Sequence, residues 1–237
     1  MAQRYFLTKN DFENKSITTD DKHHILKVMR MRSNDFIEVC YLKTCYLAKL
    51  SINEQQISYE IIDTLAQRRS VDVTLIQGLP KGNKIDIISK YATMFGVSKM
   101  LFVQMDRSIA KEKNSDNKIR RLNLITKEAA ELAHRFDIPE IAFFKSLKDI
   151  DFKTFDLILL ADENEKTIML NTVVKTTDLD KKIALIIGPE GGISDSERVF
   201  FNQKNAHIIS LGDNILPTEI AAIYALSYIS VKNTELF

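Results

Sequence analysis

The chain predicts an α/β protein, a parallel sheet with helices on both faces, preceded by a small β-barrel-like domain. Three observations carry this. Short strand-like runs dominate as far as Gln67-Arg68-Arg69-Ser70, strand and helix patterns alternate after it, and two late strands empty into glycine-bearing loops that start helices. The expected domains are therefore residues 1–70 and 71–237.

Before the boundary, residues 4–7, 36–40, 46–52 and 57–64 read as strands, separated by the turn signals Ser33-Asn34-Asp35 and Asn53-Glu54-Gln55. One helix is expected over residues 20–29, opened by the capping neighbourhood Thr18-Thr19-Asp20-Asp21. Several strands around one short helix suit a small barrel, commonly a binding module. Cys40 and Cys45 read as small apolar residues in or beside strands, and no disulfide is expected in a reducing compartment. With no CxxC pair and 4 scattered histidines, no metal-ligand spacing is present.

After the boundary, strands are expected over residues 71–77, 99–105, 141–144, 155–161, 182–187 and 207–211. Helices are expected over 83–95, closed by Gly96, and over 116–135, 194–205 and 217–231. The apolar runs fall short of the roughly 20 residues that span a bilayer, and residues 1–7 lack a signal-peptide pattern. A cytoplasmic protein is expected.

Charge is uneven. Residues 1–70 hold 11 Lys+Arg against 9 Asp+Glu, residues 71–135 hold 12 against 7, and residues 136–237 hold 10 against 16. The basic middle, from Arg107 through Arg120-Arg121, suits a polyanion, although a solvated helix face accounts for it equally well.

The loop Ile187-Gly188-Pro189-Glu190-Gly191-Gly192-Ile193-Ser194 follows an apolar strand and precedes the helix start Ser194-Asp195-Ser196-Glu197. α/β proteins place ligands at such strand ends. It matches neither the dinucleotide fingerprint nor the phosphate loop, and Glu190 would repel a pyrophosphate. It therefore suits a ligand without a phosphate run. A second loop, Leu211-Gly212-Asp213-Asn214-Ile215-Leu216-Pro217-Thr218-Glu219, also joins a strand to a helix and can form the other wall of one pocket.

These two loops closely resemble those of the RsmE family of 16S ribosomal RNA uridine N3-methyltransferases. Other marks agree in order: His23-His24-Ile25-Leu26-Lys27-Val28-Met29-Arg30 with Asn34-Asp35, then Asp106-Arg107-Ser108, then Glu128-Ala129-Ala130-Glu131-Leu132-Ala133-His134-Arg135. The resemblance spans residues 4–230. It implies a PUA-like barrel followed by a SPOUT α/β domain with a trefoil knot, S-adenosylmethionine as cofactor, a homodimer, no membrane, and 16S rRNA or the small ribosomal subunit as partner. The implied target is the uridine conventionally numbered 1498.

The cofactor contacts it implies are Leu160, Ile187, Gly188, Pro189, Gly191, Gly192, Leu211, Gly212, Ile215, Leu216 and Thr218, and a side chain at Gly191 is expected to block the pocket. Arg107, Glu190 and Glu219 are the catalytic candidates, with a backbone-capping role favoured for the two carboxylates. His24, Arg30, Arg32, Arg107 and Arg135 are the RNA-binding candidates. The chain departs from the family's LGxRILRTET pattern at Asn214, Pro217 and Ile220. Rival readings are a SPOUT enzyme for another RNA position and a non-catalytic RNA-binding assembly factor. The missing GxGxxG argues against a nucleotide-dependent oxidoreductase.

Overall fold

The structure is a computed structural model that describes residues 2–67, 70–110 and 115–234. It divides into two compact units: Met1–Arg69 with Ala130–Asp137, and Ser70–Ala129 with Ile138–Phe237.

In the first unit, β1 (Gln3–Phe6) pairs in parallel with β2 (Phe36–Tyr41), and β2, β3 (Thr44–Asn53) and β4 (Gln56–Thr64) form an antiparallel meander. The ladders give an open sheet of four strands, extended beside β4 by a bridge from Ser16 to Ser58. Tyr5, Ile25, Ile37, Val39, Ala48, Leu50 and Ile57 fill its core. A helix absent from the sequence reading, α1 (Lys9–Glu13), is capped by the Thr8 hydroxyl, which accepts the Asp11 N–H at 3.2 Å.

The helix expected over residues 20–29 is less regular than its pattern. A short α2 (Asp21–His23) runs into a π-helical turn, His24–Val28, closed by Met29 N–H donating to the His24 carbonyl at 2.8 Å.

The expectation of two free cysteines needs correction. Leu42 and Lys43 both adopt positive φ, the backbone of a two-residue hairpin turn, which sets Cys40 directly opposite Cys45. Their Cα atoms lie 4.1 Å apart and the sulfurs are joined in a disulfide. A register imposed by the turn, invisible in cysteine spacing alone, makes this contact.

Arg4 fastens β1 to residues 134–136. Only 3% exposed, its guanidinium pairs with Glu38 at 2.7 Å, donates to the carbonyls of His134 and Arg135, and lies over the Phe136 ring.

The second unit is built on a six-stranded, all-parallel sheet. Its strands are β5 (Val73–Gly78), β6 (Lys99–Val103), β7 (Glu140–Phe144), β8 (Leu157–Ala161), β9 (Ile183–Ile187) and β10 (His207–Ile209), in the order β10-β8-β9-β5-β6-β7. Every residue of β5 and β9 is buried, because central parallel strands are covered on both faces. Leu75, Leu159 and Leu185 point to a core shared with α3 (Lys84–Met94) and α7 (Thr218–Thr234), while Ile76, Leu160 and Ile186 point to one shared with α6 (Asp195–Asn202).

Boundaries differ modestly from expectation. Gly96, at φ +90°, closes α3 as predicted, while α4 (Ser115–Leu132) stops short of residue 135, where His134 adopts φ +52°. β10 ends at Ile209 rather than residue 211, because Ser210 turns aside to bridge Met169, just before the short α5 (Leu170–Val173). No described helix is long and apolar enough to cross a membrane.

Replacing Arg4 with Met leaves Glu38 with His134 Nδ1 at 2.8 Å and removes the donor from the part-buried carbonyls of His134 and Arg135. Thermal or denaturant unfolding of the Arg4→Met protein is expected to show a loss of about 1–3 kcal/mol.

Candidate functional site

Because the strands are parallel, the loops after β5, β8, β9 and β10 leave the same edge of the sheet. Those after β8, β9 and β10, with Lys84 from α3, enclose a cavity of about 300 Å³. Its walls are Ala161, Asp162, Glu163 and Lys166; Ile187, Gly188, Pro189, Glu190, Gly192 and Ile193; and Ser210, Leu211, Gly212, Asn214, Ile215, Leu216, Pro217, Thr218 and Ala221. The two glycine-bearing loops thus meet as neighbouring walls.

Close backbone approach explains the small residues. A Cβ on Gly78 would lie 2.5 Å from Pro189 Cδ, and one on Gly188 would lie 2.8 Å from Ile193 Cδ1. Gly192 holds φ +71°, and a Cβ there would also meet the Glu163 carboxylate at 2.7 Å. Ser194 ends the loop as the N-cap of α6, in a reciprocal capping box with Glu197.

The walls are tied together by a buried amide. Gln77, at the end of β5, is fully buried. Its Nε2 donates to the Gly78 carbonyl at 3.0 Å and to Thr218 Oγ1 at 2.8 Å, with the Gly188 carbonyl at 3.3 Å. Thr218 Oγ1 in turn donates to the Gly188 carbonyl at 2.6 Å. The end of β5, the first loop and the start of α7 therefore share one network.

Charge forms a second link. Glu190 accepts the Lys81 N–H at 3.0 Å, and the Lys84 ammonium reaches Glu190 at 3.3 Å and Glu219 at 3.0 Å. The Glu219 hydrogen bond leads the effects that raise the Lys84 pKa above its usual value. Burial would lift the Glu190 carboxyl, but the Lys81 N–H, its own N–H and Lys84 together hold it below the ordinary range. Such a carboxylate is a poor proton acceptor at neutral pH.

Asp162 anchors the third wall. Burial would raise its pKa, but hydrogen bonds from Arg198 and Asn164 hold it low and charged. One carboxylate oxygen takes Arg198 Nε, the other Arg198 Nη2 at 3.2 Å.

Several expected contacts lie elsewhere. Leu160 is fully buried in the sheet core, and by strand alternation and position Ala161 and Asp162 take the pocket wall instead. Gly191 also stands off the cavity. A Cβ there would lie 2.8 Å from Arg107 Cβ and 3.1 Å from the Arg107 carbonyl, so a side chain would strike the loop after β6 rather than fill the pocket.

Arg107 is exposed outside the cavity lining, with Nη1 donating to the Gly191 carbonyl at 3.1 Å. Its neighbour Asp106 accepts hydroxyls from Ser194 at 2.6 Å and Ser196 at 2.7 Å, which hold that carboxyl below its usual pKa. Glu219 is off the wall and acts through Lys84.

In the first unit, Arg30 and Arg32 are exposed with Lys27, Val28 and Met29. His24 is half-buried, its Nδ1 3.0 Å from the Tyr5 hydroxyl. Arg135 is held by Asp137 at 2.7 Å and groups with this unit. Its guanidinium is committed to an ion pair.

Gln77, Lys84 and Asp162 escaped the sequence reading. Gln77 and Lys84 are the polar groups that β5 and α3 bring to the site, and Asp162 stands in a run of polar residues after β8, so none carries a local motif. The usable signals were Gln77-Gly78 at the end of an apolar run and the Lys81-Gly82-Asn83-Lys84 helix start.

Residues 67–230 match the family described as an RNA methyltransferase domain, and residues 17–62 match the RNA methyltransferase PUA domain. More particularly, the chain belongs to the ribosomal RNA small subunit methyltransferase E family. It is 32% identical over 252 aligned positions to the Bacillus subtilis protein of that name, covering 99% of this chain and 98% of the relative.

Two crystal structures share the fold at 22% identity and 98% coverage of both chains. One is a Legionella pneumophila methyltransferase with bound cofactor S-adenosylmethionine, TM-score 0.83. The other is the Neisseria gonorrhoeae ribosomal RNA small subunit methyltransferase E bound to S-adenosyl methionine, TM-score 0.77.

Gly191→Ala is expected to displace the Arg107 turn and lower the melting temperature while leaving the cavity open. A structure of the variant with the turn unmoved would contradict this. Asp106 gives a pH test. Its folded pKa is depressed, so its stabilisation is present above the usual carboxylate pKa and is lost as pH falls through the folded value. Acidification from neutral to about pH 3 should lower the melting temperature more in the parent than in Asp106→Asn.

Proposed function

We propose that the chain transfers a methyl group from S-adenosylmethionine to N3 of a uridine in 16S ribosomal RNA, the one conventionally numbered 1498. The observation that carries this is the cavity between the two glycine-bearing loops. It is of ligand size and is lined by Gly188, Gly192 and Gly212, by the apolar Leu211, Ile215 and Leu216, and by charges of both signs, Asp162, Glu163 and Glu190 with Lys84 and Lys166. The cofactor fits that chemistry: a sulfonium cation, an amino acid end and an adenine, without phosphate. The relatives that carry it support the assignment.

Leu211, Ile215 and Leu216 would hold the adenine, using side chains and backbone groups. Gly188 and Gly192 let the backbone approach closely, and Glu163 is the wall carboxylate that suits the cationic centre, since Asp162 is engaged by Arg198 and Glu190 by Lys84. When bound, the cofactor supplies an electrophilic methyl group. The protein must then orient the uracil and favour its N3-deprotonated form, since loss of that proton is costly at neutral pH. Arg107, exposed beside the first loop, is the cation we assign to the uracil oxygen or a substrate phosphate. Glu190 and Glu219 serve structure, because both are bound to Lys84. The proton acceptor is therefore sought in the substrate complex.

Lys27, Arg30 and Arg32 on the first unit, read as a PUA-like barrel, are assigned to RNA phosphates. A homodimer is supported by an exposed apolar row on α7, Ile220, Tyr224 and Val231, spaced to share one helix face.

The SPOUT knot is supported by the return of the chain. After β10, outside β8, Ser210 is hydrogen bonded to Ile168 and Leu170 of the β8–β9 connection, and α7 then packs against α3.

A primer-extension stop at the target uridine should vanish on deleting the gene and return on adding it back. A stop at another position would favour a different RNA target. Calorimetry that detects no S-adenosylmethionine binding at high micromolar ligand would favour the assembly-factor reading.

A further inference from the structure

We propose that Lys84 is a positioning residue for the pocket, the common counter-ion through which its two glycine-bearing walls are held at a fixed separation. Glu190 belongs to the loop after β9, Glu219 to the first turn of α7 and Lys84 to the first turn of α3. These elements are far apart in the chain, yet the one ammonium lies 3.3 Å from the first carboxylate and 3.0 Å from the second.

The position of Lys84 argues against a role in its own helix. A cation in the first turn opposes the helix dipole, whereas Glu219 at the start of α7 suits it. The side chains are 29%, 25% and 17% exposed, so the charges are only partly screened by water. Without Lys84, the carboxylates of Glu190 on the wall and Glu219 behind it would be left as neighbouring like charges and push the first loop and the start of α7 apart.

The neutral link through Gln77, Thr218 and the Gly188 carbonyl lies beside this triad and does not involve it. Loss of Lys84 therefore loosens the mouth while the fold persists.

This inference rests on the cofactor reading above, and the two are separable. Calorimetry would measure S-adenosylmethionine binding to the parent, Lys84→Met, Lys84→Arg and the double variant Lys84→Met with Glu219→Gln. Lys84→Met should weaken binding about tenfold, Lys84→Arg should fall between it and the parent, and the double variant should recover most of the loss by removing the repulsion. With RNA substrate, KM for the cofactor should rise in Lys84→Met with kcat held within about twofold.

Unchanged affinity in Lys84→Met, or a double variant no better than the single, would overturn the proposal. If the parent itself binds no S-adenosylmethionine, the functional reading fails, and melting temperatures decide the triad alone. Lys84→Met should then melt lower and the double variant should recover, whereas equal values would reject it.

Discussion

The second unit depends on the burial of one uncharged amide at the carboxyl end of its central strand. A parallel sheet delivers its loops to one edge but does not by itself hold them against each other. Gln77 does so by donating to Gly78, Gly188 and Thr218 from a fully buried position. The Nε2 donor of a buried amide is favourable only when its acceptors are in place, so it selects one arrangement of the loops over near alternatives, although Gln77 Oε1 itself is buried without a partner among the described residues. The small residues follow from it. Gly78 lets β5 and the loop after β9 approach within distances that a Cβ would forbid, and Gly188 lets that loop fold closely on its own Gly192 and Ile193.

Around that neutral hub the charges are arranged in pairs and triads. Lys84 answers Glu190 and Glu219, Arg198 answers Asp162, and Asp106 takes two serine hydroxyls from the start of α6. Each link joins segments distant in sequence, and each spends a titratable group on geometry. The carboxylates most conspicuous in the sequence are consequently poor candidates for proton transfer.

Much of the architecture was legible in the sequence because buried parallel strands leave continuous apolar runs, as at residues 157–161 and 183–187. Gly96 and Ser194 marked helix ends through backbone chemistry that few other residues supply. The pocket loops were legible for the same reason. What stayed hidden has a common cause. The facing of Cys40 and Cys45, the π-helical turn at His24–Val28 and the convergence of Gln77, Lys84 and Asp162 depend on register and on long-range partners, and leave no local period. The resemblance implies Leu160 and Gly191 as pocket contacts, but one step along a strand or around a turn changes which side a residue faces.

The strand order also bears on how the chain acquires its shape. β5 pairs on one side with β6, about 25 residues later, but on the other with β9, where Gln77 stands against Ile187. During synthesis the edge of β5 must wait until some 110 residues more have emerged, with an apolar strand and its unpaired amides uncovered meanwhile. Closing so distant a pairing carries a large loop entropy and belongs to slow folding. The centre of the finished sheet is thus sealed late, ahead only of the addition of β10 beside β8 and the packing of α7, and until then the nascent protein exposes the strand that later bears the hub of its pocket.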